Sequence, residues 1–158
     1  GDLTNVLSIY SLSKQSNLAG YRAAFAAGDE KLIKGLVNLR MHSGMMVPMP
    51  VQKAMVAALS DDEHVAKQKE IYRKRREVLF PAVQAFGFEI ANSEAGLYLW
   101  ATRGNDCWDD IKELAELGIV AVPGEFYGEA GKKYVRFSIT ATDDEIQRAA
   151  ERLLNALG

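Results

Sequence analysis

Ser11-Leu12-Ser13-Lys14-Gln15-Ser16-Asn17-Leu18-Ala19-Gly20-Tyr21-Arg22 sets one lysine among short hydroxyl side chains, with an arginine eight positions further on. A lysine amine attacks an aldehyde once it has lost its proton, and burial or nearby positive charge favours that loss. Serine hydroxyls and a planar guanidinium fork bind phosphate oxygens. The stretch therefore reads as a site for a phosphorylated aldehyde. A bare Ser-x-Ser-Lys fits a surface lysine in a serine-rich loop better. The continuation through Asn17-Leu18-Ala19-Gly20 to Arg22 tips the reading toward a cofactor lysine.

Upstream of this run, residues Leu3 to Ser11 read as a buried strand, which places Lys14 in a partly buried position. Ser11 to Gly20 reads as a loop, and Tyr21 to Ala27 as a short apolar segment ended by Gly28. Asp29 is a candidate cap for a helix from Glu30 to Met41. Pro50 suits the first position of a helix reaching Leu59. Asp61, Asp62 and Glu63 open a long helix that Pro81 is expected to kink or stop.

The last seventy or so residues change rhythm. Phe88 to Ala91 and Gly96 to Ala101 read as strands, Asp106 to Leu117 as a helix ended by Gly118, and Ile119 to Val122 and Lys133 to Thr140 as strands. Pro123-Gly124 reads as a turn, and Thr142-x-x-Glu145 has the form of a capping box opening a final helix. This order predicts a compact α/β layer unit. The expected organisation is residues 1–60, an intervening helix over 61–86, and a C-terminal α/β unit over 87–158.

Composition narrows the classes. The 158 residues are 48% hydrophobic and 25% charged, with net charge −2, so nothing draws the chain as a whole toward nucleic acid. Cys107 is the single cysteine and has no internal disulfide partner. No apolar run reaches membrane-spanning length, so a cytoplasmic protein without a membrane partner is the default. The chain begins with Gly1 and enters a strand almost at once, which leads us to expect a piece whose N-terminal part is missing.

Ser11, Ser13, Lys14, Gly20 and Arg22 follow the pattern Ser-x-Ser-Lys, a short gap, then Gly-x-Arg. In this the chain resembles the fold-type I, class I/II aminotransferases that use pyridoxal 5′-phosphate. The resemblance extends to the basic helix around Tyr72 to Arg76, the strand Gly96 to Trp100, the loop Val122 to Gly128, and the strand Tyr134 to Ser138. It implies the C-terminal part of a pyridoxal-phosphate-dependent transferase fold: the end of the large cofactor domain plus the small α/β domain.

By the same resemblance Lys14 is the catalytic, Schiff-base lysine, and Ser11, Ser13 and Arg22 bind the cofactor phosphate. Arg136 then binds the substrate α-carboxylate. Its place in an alternating strand fits an anion receptor, or an edge arginine facing water, about equally. The family also implies an amino-acid and oxo-acid substrate pair and a homodimer. The run from Ser11, Ala27-Gly28-Asp29, and Ser43 to Pro48 are similar to the subgroup that transaminates N-succinyl-2-amino-6-oxopimelate in bacterial lysine synthesis.

Two departures bear on this reading. Ala24 stands where the family often has glycine, and Tyr127 where it usually has phenylalanine. The family's pyridine-nitrogen carboxylate, stacking aromatic and glycine-rich phosphate turn precede the lysine and are not in this sequence, so the chain alone is expected to be inactive. Rival readings are another class I aminotransferase, acting on aspartate, alanine or aromatic substrates, and a non-catalytic domain of the same fold serving regulation. The basic residues Lys67 to Arg76 alternate with acids and read as a solvated helix face. His42 and His64 lack metal-ligand spacing and read as helix-surface residues, and Cys107 as a packed thiol.

Overall fold

The computed structural model describes residues 2–158, and the chain divides into two units, residues 1–68 and 69–158. In the first, strand β1 (Leu7–Ser11) pairs antiparallel with β2 (Ala24–Gly28), in register from Leu7 opposite Gly28 to Ser11 opposite Ala24. The connection holds a single helical turn, α1 (Leu12–Gln15), and a 3-10 turn, Ala19–Tyr21. Helices α2 (Glu30–His42) and α3 (Met49–Leu59) follow, and α4 (Glu63–Ala85) begins in this unit and ends in the next.

The expected strand Leu3–Ser11 is shorter, because its first residues form a turn. The Val6 amide donates to the Leu3 carbonyl at 3.0 Å, and Asn5 is left-handed at φ 60°. The Asp29 carboxylate accepts from the Asn5 amide at 2.9 Å while its other oxygen caps α2 through Lys31 and Leu32. Nor is β1 buried: all five residues are exposed, Ile9 at 70%. Leu12, Ala23 and Met55, flanked by Leu18 and Val51, form a small core among the described residues here. Two strands alone have too little covered face to bury their side chains.

Pro81 does not stop α4. It removes one amide donor from the helix, a loss of about 3 kcal/mol. Leu79, Ala82 and Val83, buried around it, hold the helix in one piece to Ala85.

In the second unit β3 (Tyr98–Ala101), β4 (Val122–Pro123) and β5 (Val135–Ser138) form an antiparallel sheet with β5 in the centre. The strand expected at Phe88–Ala91 reduces to one bridge, Glu89 with Thr102, and that at Ile119–Val122 to two residues. Helices α5 (Cys107–Glu116) and α6 (Asp143–Asn155) complete the unit. Asp106 caps the first of these, and the Thr142–Glu145 capping box is present at the second. Leu99, Ala101, Val135 and Phe137 point to a core shared with Leu79, Val83, Leu114, Ile146 and Leu153. Each fully buried leucine there contributes about 1.5–3 kcal/mol. Alternation along β5 leaves Arg136 on the opposite face. Among the described residues no helix is long and apolar enough to cross a membrane.

Candidate active site

The pair Ser11–Ala24 closes one end of the β1–β2 ribbon, and residues 12–23 loop out from it. Ser11, Ser13, Lys14 and Arg22 therefore all belong to one end of this hairpin. Ser11 caps α1: its Oγ accepts from the Ser13 amide at 3.2 Å and donates to the Ser13 hydroxyl at 3.0 Å. The one turn of α1 drives Leu12 inward to complete burial and leaves Lys14 exposed. The expected partial burial of Lys14 is thus not found, because the strand before it is itself uncovered. Among the described residues no carboxylate lies within ion-pair distance of Lys14 or of Arg22.

Arg22 is in the left-handed region at φ 51°, a conformation that costs a non-glycine residue about 1–3 kcal/mol. Its amide donates to the Ala19 carbonyl at 3.3 Å, and Nη1 donates to the same oxygen at 3.0 Å. The side chain is folded back along its own loop with part of its fork free. One amine, two hydroxyls and one partly free guanidinium make a donor set that fits an aldehyde carrying a phosphate.

His64 joins this loop, a role the sequence reading missed. Its Nε2 lies 2.9 Å from Ser16 Oγ, and its Nδ1 lies 3.2 Å from Asp61 Oδ2. Asp61 is held below the usual carboxylate range by the Glu63 amide first. Slight desolvation opposes this, and the His64 ring adds to it. Ser16 is the C-cap of the turn that carries Lys14, so the first turn of α4 anchors the lysine loop. The separation of 48 residues hides the pair from local pattern reading.

In the second unit Arg136 sits on central β5, directly opposite Trp100 of β3 and Val122 of β4. Its guanidinium carbon lies 4.1 Å from the Tyr98 ring centroid and 5.3 Å from that of Tyr127. Trp100 stacks on Tyr134 at 5.2 Å and meets Tyr127 edge to face at 5.6 Å. Arg136 Nε is buried without a hydrogen-bond partner, and no carboxylate among the described residues pairs with the group. A half-buried, unneutralised guanidinium in an aromatic setting is chemically suited to a carboxylate ligand. The contacts of Tyr98 and Tyr127 with Arg136 are not legible in the sequence, since they arise from strand register and from a turn far apart in the chain.

Comparison with known proteins bears on these groups. Residues 1–153 match the family model "Aminotransferase class I and II". The chain is 54% identical, over 97% of its length and 43% of the relative's, to 4-dedimethylamino-4-oxo-anhydrotetracycline transaminase OxyQ of Streptomyces rimosus. It is 34% identical to LL-diaminopimelate aminotransferase of Oleidesulfovibrio alaskensis, over 97% of this chain and 40% of that one. A crystal structure of an aminotransferase from Neisseria meningitidis superposes with a TM-score of 0.87 at 30% identity, covering 98% of this chain and 41% of the other. The chain thus spans about two fifths of the length of these relatives.

Proposed function

This chain belongs to the class I and II aminotransferases, and from that premise we propose that it is the C-terminal portion of an enzyme exchanging an amino group between glutamate and an oxo acid. Residues 1–60 then form the end of the cofactor domain, 61–86 the linking helix, and 87–158 the small domain. The observation that carries the reading is the hairpin end at Ser11–Ala24, where an exposed lysine and a partly free arginine share one loop with two serines and have no acidic partner among the described residues. The cofactor is pyridoxal 5′-phosphate, which when bound supplies the aldehyde and the electron sink for the reaction.

The candidate site residues of this chain divide the work. Lys14 Nζ would hold the cofactor and, during the reaction, carry the proton between the substrate Cα and the C4′ carbon of the cofactor. Ser11 and Arg22 grip the phosphate, with Ser13 as a further donor. Arg136 receives the substrate α-carboxylate through its two-pronged edge. The whole enzyme works as a cytoplasmic homodimer.

The acceptor we propose is N-succinyl-2-amino-6-oxopimelate. The similarity to an LL-diaminopimelate aminotransferase supports an acceptor of that dicarboxylate class. The similarity to a tetracycline transaminase favours, as a second reading, a ring ketone. The test is expression of the reading frame together with its upstream sequence, assayed with glutamate and each acceptor. Turnover of the succinylated oxo acid, lost in Lys14→Ala, is expected, and faster turnover of an anhydrotetracycline ketone establishes the second reading. The chain alone, mixed with pyridoxal phosphate and reduced with borohydride, is expected to be labelled weakly at Lys14 and to turn over nothing. Uniform labelling of surface lysines would overturn the assignment.

A further inference from the structure

Arg136 carries a positive charge on a sheet face where no carboxylate among the described residues pairs with it, yet its side chain is held from two directions. Tyr98 reaches it diagonally along β3, since Tyr98 pairs with Ser138 and Arg136 with Trp100. Tyr127 reaches it from the 3-10 turn Gly124–Tyr127. That turn is pinned by the Gly124 amide, which donates to the Tyr134 carbonyl at 2.8 Å, and by the Trp100 ring against Tyr127. Ring faces attract a guanidinium without consuming its N–H donors. A carboxylate in either ring's place would do the opposite, occupying the donors meant for the ligand.

We propose that Tyr98 and Tyr127 are positioning residues for Arg136: the two rings hold the guanidinium, its Nε side enclosed, while leaving the terminal Nη donors free for a substrate carboxylate. This rests on the reading of Arg136 as the carboxylate receptor given above. The arrangement solves a specific problem. A long arginine side chain loses about 2 kcal/mol of rotamer freedom when a ligand fixes it, and prior restraint by the rings removes part of that penalty from binding. The buried, unpartnered Nε marks a side chain already committed to one direction before any ligand arrives.

The experiment titrates the full chain with sodium glutarate, with sodium chloride as the ionic-strength control, and follows the arginine Nε–Hε NMR signals. The wild-type Arg136 signal is expected to shift saturably with glutarate and not with chloride. Tyr127→Leu and Tyr98→Leu should each weaken glutarate binding about fivefold and broaden or average the Arg136 signal, the size expected for one partly exposed cation–π contact. Tyr127→Phe and Tyr98→Phe keep the ring and should bring affinity back to within about twofold. Tyr127 is 55% exposed, so its leucine variant keeps the fold even if that of Tyr98 does not. Unaltered binding in Tyr127→Leu, with binding abolished in Arg136→Leu, overturns the positioning role and leaves the receptor intact. Unaltered binding in Arg136→Leu, or no glutarate response in the wild type, overturns the receptor reading itself.

Discussion

Asp110 is the one charged residue fully buried among those described, and its removal gives a sharp test of how the second unit is held together. Its Oδ1 accepts from Arg103 Nε at 3.0 Å, from Arg103 Nη2 at 2.7 Å and from Asn105 Nδ2 at 3.3 Å. The Arg103 guanidinium in turn lies 4.7 Å from the Phe88 ring and 5.2 Å from that of Phe86, both in the core. Burial alone would lower the Arg103 pKa, but bonds to Glu113 and Asp110 raise it above the ordinary arginine value. Truncating one partner of a buried pair costs about 3–5 kcal/mol, because the other charge is left unmatched. Glu113 also bonds Arg103, so Asp110→Ala belongs at the lower end, about 3 kcal/mol. With a urea m value of about 1.5 kcal/mol/M the midpoint falls by about 2 M.

Both tryptophans, Trp100 and Trp108, lie in the second unit, so their fluorescence follows its unfolding. Asp110→Asn retains an acceptor for Arg103 but puts an amide where Oδ2 has no partner, and should lose an intermediate amount, about 2 kcal/mol. Asp109→Ala, next in sequence but exposed, should change stability by less than about 0.5 kcal/mol. A loss under about 1 kcal/mol in Asp110→Ala would refute the claim that this ion pair is a structural tie.

Other perturbations separate the remaining parts of the structure. His64→Ala should speed amide hydrogen exchange at Ser16 and Leu18 about fivefold, the loss of one hydrogen bond of about 1 kcal/mol, while His42→Ala, at an exposed position, leaves it unchanged. Asp29 is held below its ordinary pKa by the Asn5 amide first and then by those of Leu32 and Lys31, with desolvation opposing. Its stabilising effect is therefore complete above the unfolded carboxylate range near about pH 4 and is lost as pH falls through the lower folded value. Asp29→Ala should flatten that acid dependence of α2 helicity in a circular-dichroism pH titration. A Cβ on Gly124 would lie 2.6 Å from the Tyr134 carbonyl oxygen and 2.9 Å from the Trp100 ring, so Gly124→Ala should destabilise the second unit by about 1–3 kcal/mol in a thermal melt. Gly35, inside α2 with open space around it, should do the reverse, Gly35→Ala adding about 0.5–1 kcal/mol.

Helix starts were legible in the sequence because their signals are local. Asp29 and the Thr142–Glu145 box act within three residues of themselves and recur in the structure as read, whereas Asp106, read as the first residue of its helix, is the cap one residue before it. Strand extents were not legible, since a strand lasts only as long as its partner. Phe88–Ala91 has the composition of a strand but meets Thr102 at a single bridge, and Ile119 turns into the core by bonding the Leu114 carbonyl. Pro81 misled for the complementary reason: a local rule predicts a break, and packing at Leu79, Ala82 and Val83 overrides it.

The same division runs through the candidate site and bears on its chemistry. The amine and the phosphate donors lie in one run of sequence and could be read from it. The surroundings that make such an amine reactive are not local. Desolvation or a nearby cation favours the free amine that attacks an aldehyde. Arg22 supplies a cation within the same loop, but α1 leaves Lys14 open to solvent. Ile9, Tyr10 and Phe25, on the strands framing that loop, are exposed at 70%, 45% and 40%, an apolar surface of the kind that another part of a protein covers. Under the proposed function, covering this ribbon and drying the lysine are one event. The upstream sequence should therefore raise the rate of cofactor capture at Lys14 and protect the β1 amides from exchange together, and separation of these two effects would show that the lysine is activated by other means.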